Sequence, residues 1–181
     1  MTAKNYLELI RNGRLSEEDA RRIIREVLLS HSEKKNNRML VEFAIKRRLY
    51  KTRLDSIMPQ VIENWCLARY CTLSGFDENL KAHWKSELRG HIATLFRLAI
   101  KGNDSDLSRR QVLKEIWIDN DFDDPNVIKY VTYAKFKKEK IDTDSELYYD
   151  TISDFVFQQE KLINVIVSRD LGLLEEYLET I

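Results

Sequence analysis

Apolar residues recur three or four positions apart along nearly the whole chain, which is the pattern of amphipathic helices. The two most regular stretches lie at 77–101 and 145–167, and they should form the centre of the core. The residues that we expect to be buried there are Trp84, Leu88, Ile92, Leu95, Ile152, Phe155, Leu162 and Ile166. The pattern therefore predicts an all-α fold, a helical bundle of six to eight helices.

Residues that begin or end helices divide this pattern into segments. Gly13 should end a short first helix around Tyr6, and Gly75 a later one, because glycine readily adopts the left-handed conformation found at helix C-termini. Pro59 either opens a new helix or kinks one long helix. The candidate N-caps are Ser16, Asp77, Ser108, Asp124, Asp144 and Asp170.

Two segments rich in β-branched or aromatic residues are the alternatives to this scheme. Residues 127–136 and 162–167 are strands by propensity. Neither has turn residues beside it, and only five Gly and two Pro occur in the chain, which disfavours an all-β fold. We therefore interpret both segments as helical, and the inward face of the first as Val127, Tyr130, Val131 and Ala134.

Length and hydropathy indicate the kind of protein. A chain of 181 residues is typical of one domain, so we expect residues 1–181 to form a single all-α domain, with a soft boundary near 101–108 that would divide it into two lobes. The chain has no run of 18 apolar residues and no signal-peptide core, which favours a cytoplasmic protein without a membrane partner. Cys66 and Cys71 fit that setting as reduced, buried thiols.

Charge is sorted along the chain although its total is zero. Residues 1–101 carry 20 Lys and Arg against 12 Asp and Glu, whereas residues 102–181 carry 10 against 18. Much of the basic excess lies in one stretch, in which Glu42 is the only acidic residue: Lys34, Lys35, Arg38, Lys46, Arg47, Arg48, Lys51 and Arg53. This basic stretch predicts either binding of nucleic acid or a contact with the acidic C-terminal region, within one chain or across a dimer.

Three residues on the helix after Gly75 have a spacing that would suit a metal ion. His83, Glu87 and His91 are four residues apart, so their side chains lie within 80° on one helix face and could enter one cleft. Zinc or iron would need at least one further ligand from elsewhere. A simpler interpretation places His91 at the edge of the core, and no cofactor is expected.

Arg25 and His31 are separated by five residues. This spacing resembles the loose Arg-x(4–6)-His pattern of the all-α HEPN ribonucleases, which an arginine-rich chain also matches by chance. It implies RNA cleavage near the basic stretch. The chain has no Gly-rich phosphate loop, no Gly-x-Ser-x-Gly and no paired CxxC motif.

Three hypotheses about function follow. The first is a non-enzymatic helical domain that binds a protein partner or forms a homo-oligomer through its charged ends. The second is a nucleic-acid-binding or regulatory protein that uses the basic stretch. The third is a metal-dependent or HEPN-like hydrolase. We favour the first, because no motif identifies a reaction and a dedicated nucleic-acid binder is more often basic overall.

Overall fold

The computed structural model describes residues 12–13, 16, 18–23, 35–75, 78–98 and 106–181. At residues 35–40, 42, 43, 46, 47, 50 and 106 it describes the backbone alone. The predicted first helix around Tyr6 and the predicted N-cap Asp77 lie outside these ranges.

Helices account for most of the described residues, and none of those residues forms a strand, so the predicted all-α fold is confirmed. After a helical segment at 18–23 come α1 (Lys35–Ser74), α2 (Glu78–Arg97), α3 (Asp106–Asp119), α4 (Pro125–Lys138), α5 (Glu146–Ser168) and α6 (Leu171–Glu179). The longest helix, α1, packs against α2, α3, α4 and α5. Helix α5 packs against α3 and α4 and also contacts α2 and α6.

Helix α1 continues through Pro59 as one helix of 40 residues. Proline lacks the backbone N–H and clashes with the carbonyl four residues earlier, at Asp55, which costs about 3 kcal/mol in a helix interior. Met58, Val61 and Ile62 beside it are fully buried. Because burying side chains of this size contributes about 1.5–3 kcal/mol each, their packing offsets the cost of the proline. Of the two alternatives for Pro59, the structure therefore contains the single long helix.

Several predicted helix ends are confirmed by hydrogen bonds and backbone angles. Gly75, directly after α1, has a φ of 64°, in the left-handed region. Gly13 has the same φ, but the helix that it is predicted to end lies outside the described residues. Asp124 Oδ1 accepts from the backbone N–H of residue 126 at 2.9 Å, and Pro125 is the first residue of α4. Asp170 Oδ1 accepts in the same way at the start of α6, at 2.8 Å. The local chemistry of the sequence therefore fixes where these helices begin and end.

Two predicted N-caps are wrong. Helix α3 begins at Asp106 instead of after Ser108. This earlier start puts the buried Arg109 in the first turn, where its Nε donates to the Val167 carbonyl at 2.8 Å and holds α3 on α5. Helix α5 is capped by Ser145 rather than by Asp144.

The core lies where α1, α2 and α5 meet. All eight residues predicted to be buried there are buried, with exposed fractions of 5% or less. Aromatic side chains join the helices: Phe155 of α5 meets the edge of Trp65 of α1 at a centroid distance of 5.3 Å and stacks on Trp117 of α3 at 6.3 Å. The hydrophobic periodicity therefore identified the centre of the fold correctly.

Both cysteines are buried, and no disulfide joins them, as expected. Burial raises the pKa of the Cys66 thiol well above its ordinary value, and the nearby Glu63 raises it further. A thiol in that state is a poor nucleophile. Cys66 is therefore part of the packing of α1.

Buried contacts join the residues on either side of segment 101–108. The core cluster extends from Leu54 to Ile181, and Arg169 Nε donates to the Phe96 carbonyl at 3.1 Å. Residues 101–105 of the segment lie outside the described ranges. A single domain over 1–181, and the soft boundary within it, stay predictions.

The segments 127–136 and 162–167 are helical, which confirms the choice of helix over strand. The predicted inward face of α4 is only partly right: Val127 and Val131 are half-buried and pack against the core, whereas Tyr130 and Ala134 are exposed. The buried residues of α4 are Ile128, Thr132 and Phe136, while Tyr130 is 86% exposed. A polar residue can take the core position because Thr132 Oγ1 donates to the Ile128 carbonyl at 2.9 Å, which satisfies its hydroxyl inside the helix.

Candidate interaction surface

The basic stretch does not form one open surface in the part of α1 whose side chains are described. Lys34 lies outside the described residues, and the side chains of Lys35, Arg38, Lys46 and Arg47 are also outside the description. Of the rest, Lys51 Nζ lies 2.9 Å from Asp119 Oδ2 and 3.9 Å from Glu115 Oε2, both on α3.

Arg48 lies against the turn at Gly13, where an added Cβ would be 3.8 Å from its Nη2. The Arg48 Nε is buried, and it has no hydrogen-bond partner among the residues that the structure describes. Arg53, the last residue of the stretch, is half-buried. Nucleic-acid binding by the basic stretch therefore stays a prediction.

The uneven charge distribution predicted either nucleic-acid binding or a contact with acidic residues. Lys51 makes a contact of the latter kind, because its ammonium lies against carboxylates in the acidic half of the chain. Next to it, Asn120 Nδ2 donates to Asp55 Oδ1 at 2.8 Å. The ammonium of Lys51 is largely covered, whereas the Asp119 carboxylate is 59% exposed. A pair of this kind contributes about 0–1 kcal/mol, so it positions α3 on α1 more than it stabilises the fold.

A polar groove of about 520 Å³ lies between α1, α2 and the end of α4. Its lining includes Gln60, Glu63, Asn64, His83, Trp84, Glu87, His91, Lys135 and Glu139. His83, Glu87 and His91 are thus brought to one cleft, as their spacing suggested. Among the residues that the structure describes, no group of three or more His, Cys, Asp or Glu side chains is arranged to hold a metal ion. The metal hypothesis gains no support from the structure and stays a prediction.

His91 is held in this groove by hydrogen bonds on one side of its ring. Its Nδ1 lies 2.9 Å from Nδ2 of the buried Asn64 and 2.8 Å from the Glu87 carbonyl. A single nitrogen accepts from the amide when it is unprotonated and donates to the carbonyl when it is protonated. Desolvation raises the pKa of the nearby Glu63, and the charges of Lys135 and His91 oppose this.

Glu63 and His91 line the same groove and interact electrostatically. No Ser, Thr or Cys is among the residues that line the groove, so they offer no hydroxyl or thiol for nucleophilic catalysis. Catalysis in this groove would have to use its carboxylate, imidazole or ammonium groups. Arg25 and His31, the other catalytic candidates, lie outside the described residues.

Exposed tyrosines form a different kind of site on α4 and the start of α5. We call Tyr130, Tyr133, Tyr149, Lys129 and Lys137 the tyrosine surface. Its tyrosines are 86%, 50% and 44% exposed, respectively. Lys129 Nζ donates to Tyr149 Oη at 3.1 Å and lies 4.3 Å from the centroid of that ring, which connects the two helices at the surface. Lys137 Nζ lies 5.6 Å from the Tyr133 centroid.

The residues beneath this surface hold it in place. Tyr148 is fully buried, and its hydroxyl donates to the Lys129 carbonyl at 3.2 Å and lies 2.9 Å from Thr132 Oγ1. Burial raises the pKa of Tyr148, so its hydroxyl keeps its proton and stays a donor. Phe136 packs on the same ring at 4.9 Å. The exposed tyrosines therefore stand on a well-packed base.

An open groove of about 610 Å³ borders the tyrosine surface. Pro59 of α1 and Val131 and Ala134 of α4 line it, together with Lys129, Tyr130 and Tyr133. Its wall is thus mostly apolar or aromatic, with one ammonium group at the edge. A groove of this composition suits an apolar side chain rather than a polar metabolite.

Sequence reasoning missed this surface because it turned Tyr130 and Ala134 toward the core. A competing signal was present: Ile128, Thr132 and Phe136 are spaced by four, which is also a helix face. That face has the polar residue Thr132 at its centre, so the hydrophobic pattern favours the competing face with Tyr130 and Ala134.

Comparisons with protein-family models, with curated proteins and with solved structures find no match for this chain. In the described part of the chain, none of the helices combines the length and apolar character needed to cross a bilayer.

Proposed function

We propose that this protein is a helical interaction domain that binds another protein through the tyrosine surface. The observation that carries the proposal is the exposure of Tyr130, 86%, beside two further exposed tyrosines and an apolar groove. Exposed aromatic side chains that cluster beside an apolar groove mark interaction sites more often than single exposed ones do, and tyrosine is enriched in the buried centres of protein interfaces.

The energetics of tyrosine burial support this choice. A tyrosine side chain buries roughly 150–250 Å² when it is covered, and it has few rotatable bonds to immobilise. Residues that anchor interfaces in this way typically cost about 2 kcal/mol or more of binding energy when truncated to alanine. Two such anchors, Tyr130 and Tyr133, on a rigid helix make a credible centre for an interface.

The other hypotheses have weaker support. The residues that line the polar groove include no hydroxyl or thiol nucleophile. In the basic stretch, Lys51 is already in contact with carboxylates. Neither feature presents exposed apolar area as the tyrosine surface does.

The test compares partner capture by three immobilised full-length proteins: the wild type, the Tyr130→Ala/Tyr133→Ala double variant, and the Phe157→Ala variant. Phe157 is 88% exposed on α5 and lies outside the tyrosine surface, which makes it a matched aromatic control. Cell extract is passed over each, and retained proteins are quantified by mass spectrometry. We expect a partner that the wild type and the control retain equally and that the double variant retains at least tenfold less.

Both tyrosines are exposed, so the double variant should unfold at nearly the wild-type temperature. The proposal fails if every protein retained by the wild type is retained equally by a correctly folded double variant.

A further inference from the structure

The tyrosine surface carries two positive charges that no carboxylate neutralises. Lys129 and Lys137 both lie against tyrosine rings, and among the described residues neither ammonium forms an ion pair with an Asp or Glu. Elsewhere on the protein, long-range contacts pair basic side chains with carboxylates, as in Arg69 with Asp154 at 3.0 Å. The tyrosine surface therefore presents aromatic area and unpaired positive charge together.

A protein that covers these tyrosines also removes water from the two ammonium groups. Desolvating a charged group is costly unless a group of opposite charge replaces the water. A partner with neutral or basic residues opposite Lys129 and Lys137 would thus lose much of the energy gained from covering Tyr133 and Tyr149. Charge complementarity selects a partner that brings carboxylates to these two positions.

Resting on the proposed function, we infer that the tyrosine surface binds an acidic segment of a different protein, with carboxylates opposite Lys129 and Lys137 and an apolar side chain in the adjoining groove. The two lysines are eight positions apart on α4, a rise of about 12 Å along the helix axis. An extended chain covers that distance in about four residues. The segment is therefore expected to carry two acidic residues three or four positions apart, with an apolar residue between or beside them.

Two other occupants fit less well. A second copy that docked through the same surface would place Lys129 and Lys137 against the same lysines, and like charges across an interface are unfavourable. A single-stranded nucleic acid could stack on the tyrosines and place phosphates near Lys129 and Lys137, but it would leave the apolar part of the groove at Pro59, Val131 and Ala134 uncovered.

The experiment begins with a displayed library of random 12-residue peptides, selected on the full-length protein and counter-selected on the Tyr130→Ala/Tyr133→Ala variant. The enriched peptides are sequenced, and the best is labelled with fluorescein for anisotropy measurements. We expect enrichment of peptides with two Asp or Glu three or four positions apart and an apolar residue near them.

The charge is then tested in binding measurements. The Lys129→Glu/Lys137→Glu variant should bind the selected peptide at least tenfold more weakly than the wild type, and wild-type binding should weaken as salt increases. The control is Lys114→Glu/Lys161→Glu, which makes the same charge change at two exposed lysines outside the tyrosine surface and should alter Kd less than twofold.

The outcomes separate the two proposals. Tyrosine-dependent peptides that are neutral or basic, or that bind the Lys129→Glu/Lys137→Glu variant as well as the wild type, would overturn the inference and leave the proposed function intact. Absence of any tyrosine-dependent peptide would count against both. If the unliganded protein forms a dimer in sedimentation and the lysine variant does not, the occupant is a second copy and the inference is wrong. If a 20-nucleotide poly(U) RNA binds more tightly than the peptide, the occupant is a nucleic acid and the inference is also wrong.

Discussion

Truncation of Phe155 to alanine should be among the most destabilising single changes in this protein. The side chain is 1% exposed, and it packs between two tryptophans, Trp65 and Trp117, of different helices. Removing a buried phenyl group typically costs about 3–5 kcal/mol, because apolar burial is lost and a cavity remains. The two ring contacts contribute about 0.5–1.5 kcal/mol each to that loss. Since whole domains are stable by only about 5–15 kcal/mol, Phe155→Ala should remove a large part of the margin.

Urea denaturation and thermal unfolding measure this effect. For a chain of this length, a loss of 3–5 kcal/mol lowers Tm by roughly 6–20 °C. The matched control is Phe157→Ala, two positions along the same helix, where the side chain is 88% exposed. That change removes little packing and raises helix propensity slightly, so stability should change by no more than about 0.5 kcal/mol.

The comparison of the two phenylalanines can refute the packing described above. If Phe157→Ala destabilises as much as Phe155→Ala, the face of α5 that meets the core has been misassigned. A loss of under about 1 kcal/mol for Phe155→Ala would mean that this ring is not at the centre of the core.

Three further changes test other features. Tyr177→Phe removes the oxygen that accepts from Trp65 Nε1 at 2.5 Å and leaves a buried N–H unpaired. Urea denaturation should therefore show that the free energy of unfolding falls by about 1–3 kcal/mol. An unchanged free energy of unfolding would mean that water satisfies the indole N–H. Burial raises the pKa of Glu63 in the folded protein, so ionisation of this carboxyl lowers stability as pH rises through that pKa. Glu63→Gln should therefore raise Tm at pH 7, by an amount that becomes smaller toward pH 4. A gain in Tm that is larger at pH 4 than at pH 7 would contradict the raised pKa. If the basic stretch binds a polyanion, Arg47→Glu/Arg48→Glu should abolish retention on heparin, whereas unchanged retention would exclude these two residues.

Much of the fold could be predicted because local chemistry and periodicity agree along most of the chain. Asp124 and Pro125 specify the start of α4, since one supplies the cap and the other has the φ that a first helical residue needs. Leu88 and Ile92 lie on a stripe that has no competitor of similar hydrophobicity, and both are fully buried. At such positions the start of a helix or the burial of a side chain depends on residues only a few places away in the sequence.

The features that could not be predicted depend on tertiary contacts. Pro59 leaves two local outcomes open, and the packing of Val61 and Ile62 against other helices decides between them. In α4, Thr132 faces inward because its hydroxyl is satisfied by the Ile128 carbonyl, which a hydrophobicity pattern does not register.

The tyrosine surface could not be predicted from the sequence because it, too, depends on tertiary contacts. Once Thr132 faces the core, Tyr130 must face outward, and this places it near Tyr133. The position of Tyr149 next to them depends on how α5 crosses α4, for which the contact of Lys129 with Tyr149 is the visible sign. The carboxylates that contact Lys51 lie 64 and 68 positions later in the sequence, so a local pattern could not identify them either.

The long helix α1 has a consequence for how the chain is synthesised. Its side chains find their partners far downstream: Arg69 pairs with Asp154, and Trp65 bonds to Tyr177 across 112 positions. At about 5–20 residues per second, a ribosome needs roughly 5–20 s to make the residues between Trp65 and its partner. During that interval α2 is made soon after α1 and can pack on it, but the part of α1 that α5 and α6 cover stays without its partners. The nascent chain is therefore most exposed to aggregation, and most in need of a chaperone, before α5 and α6 emerge.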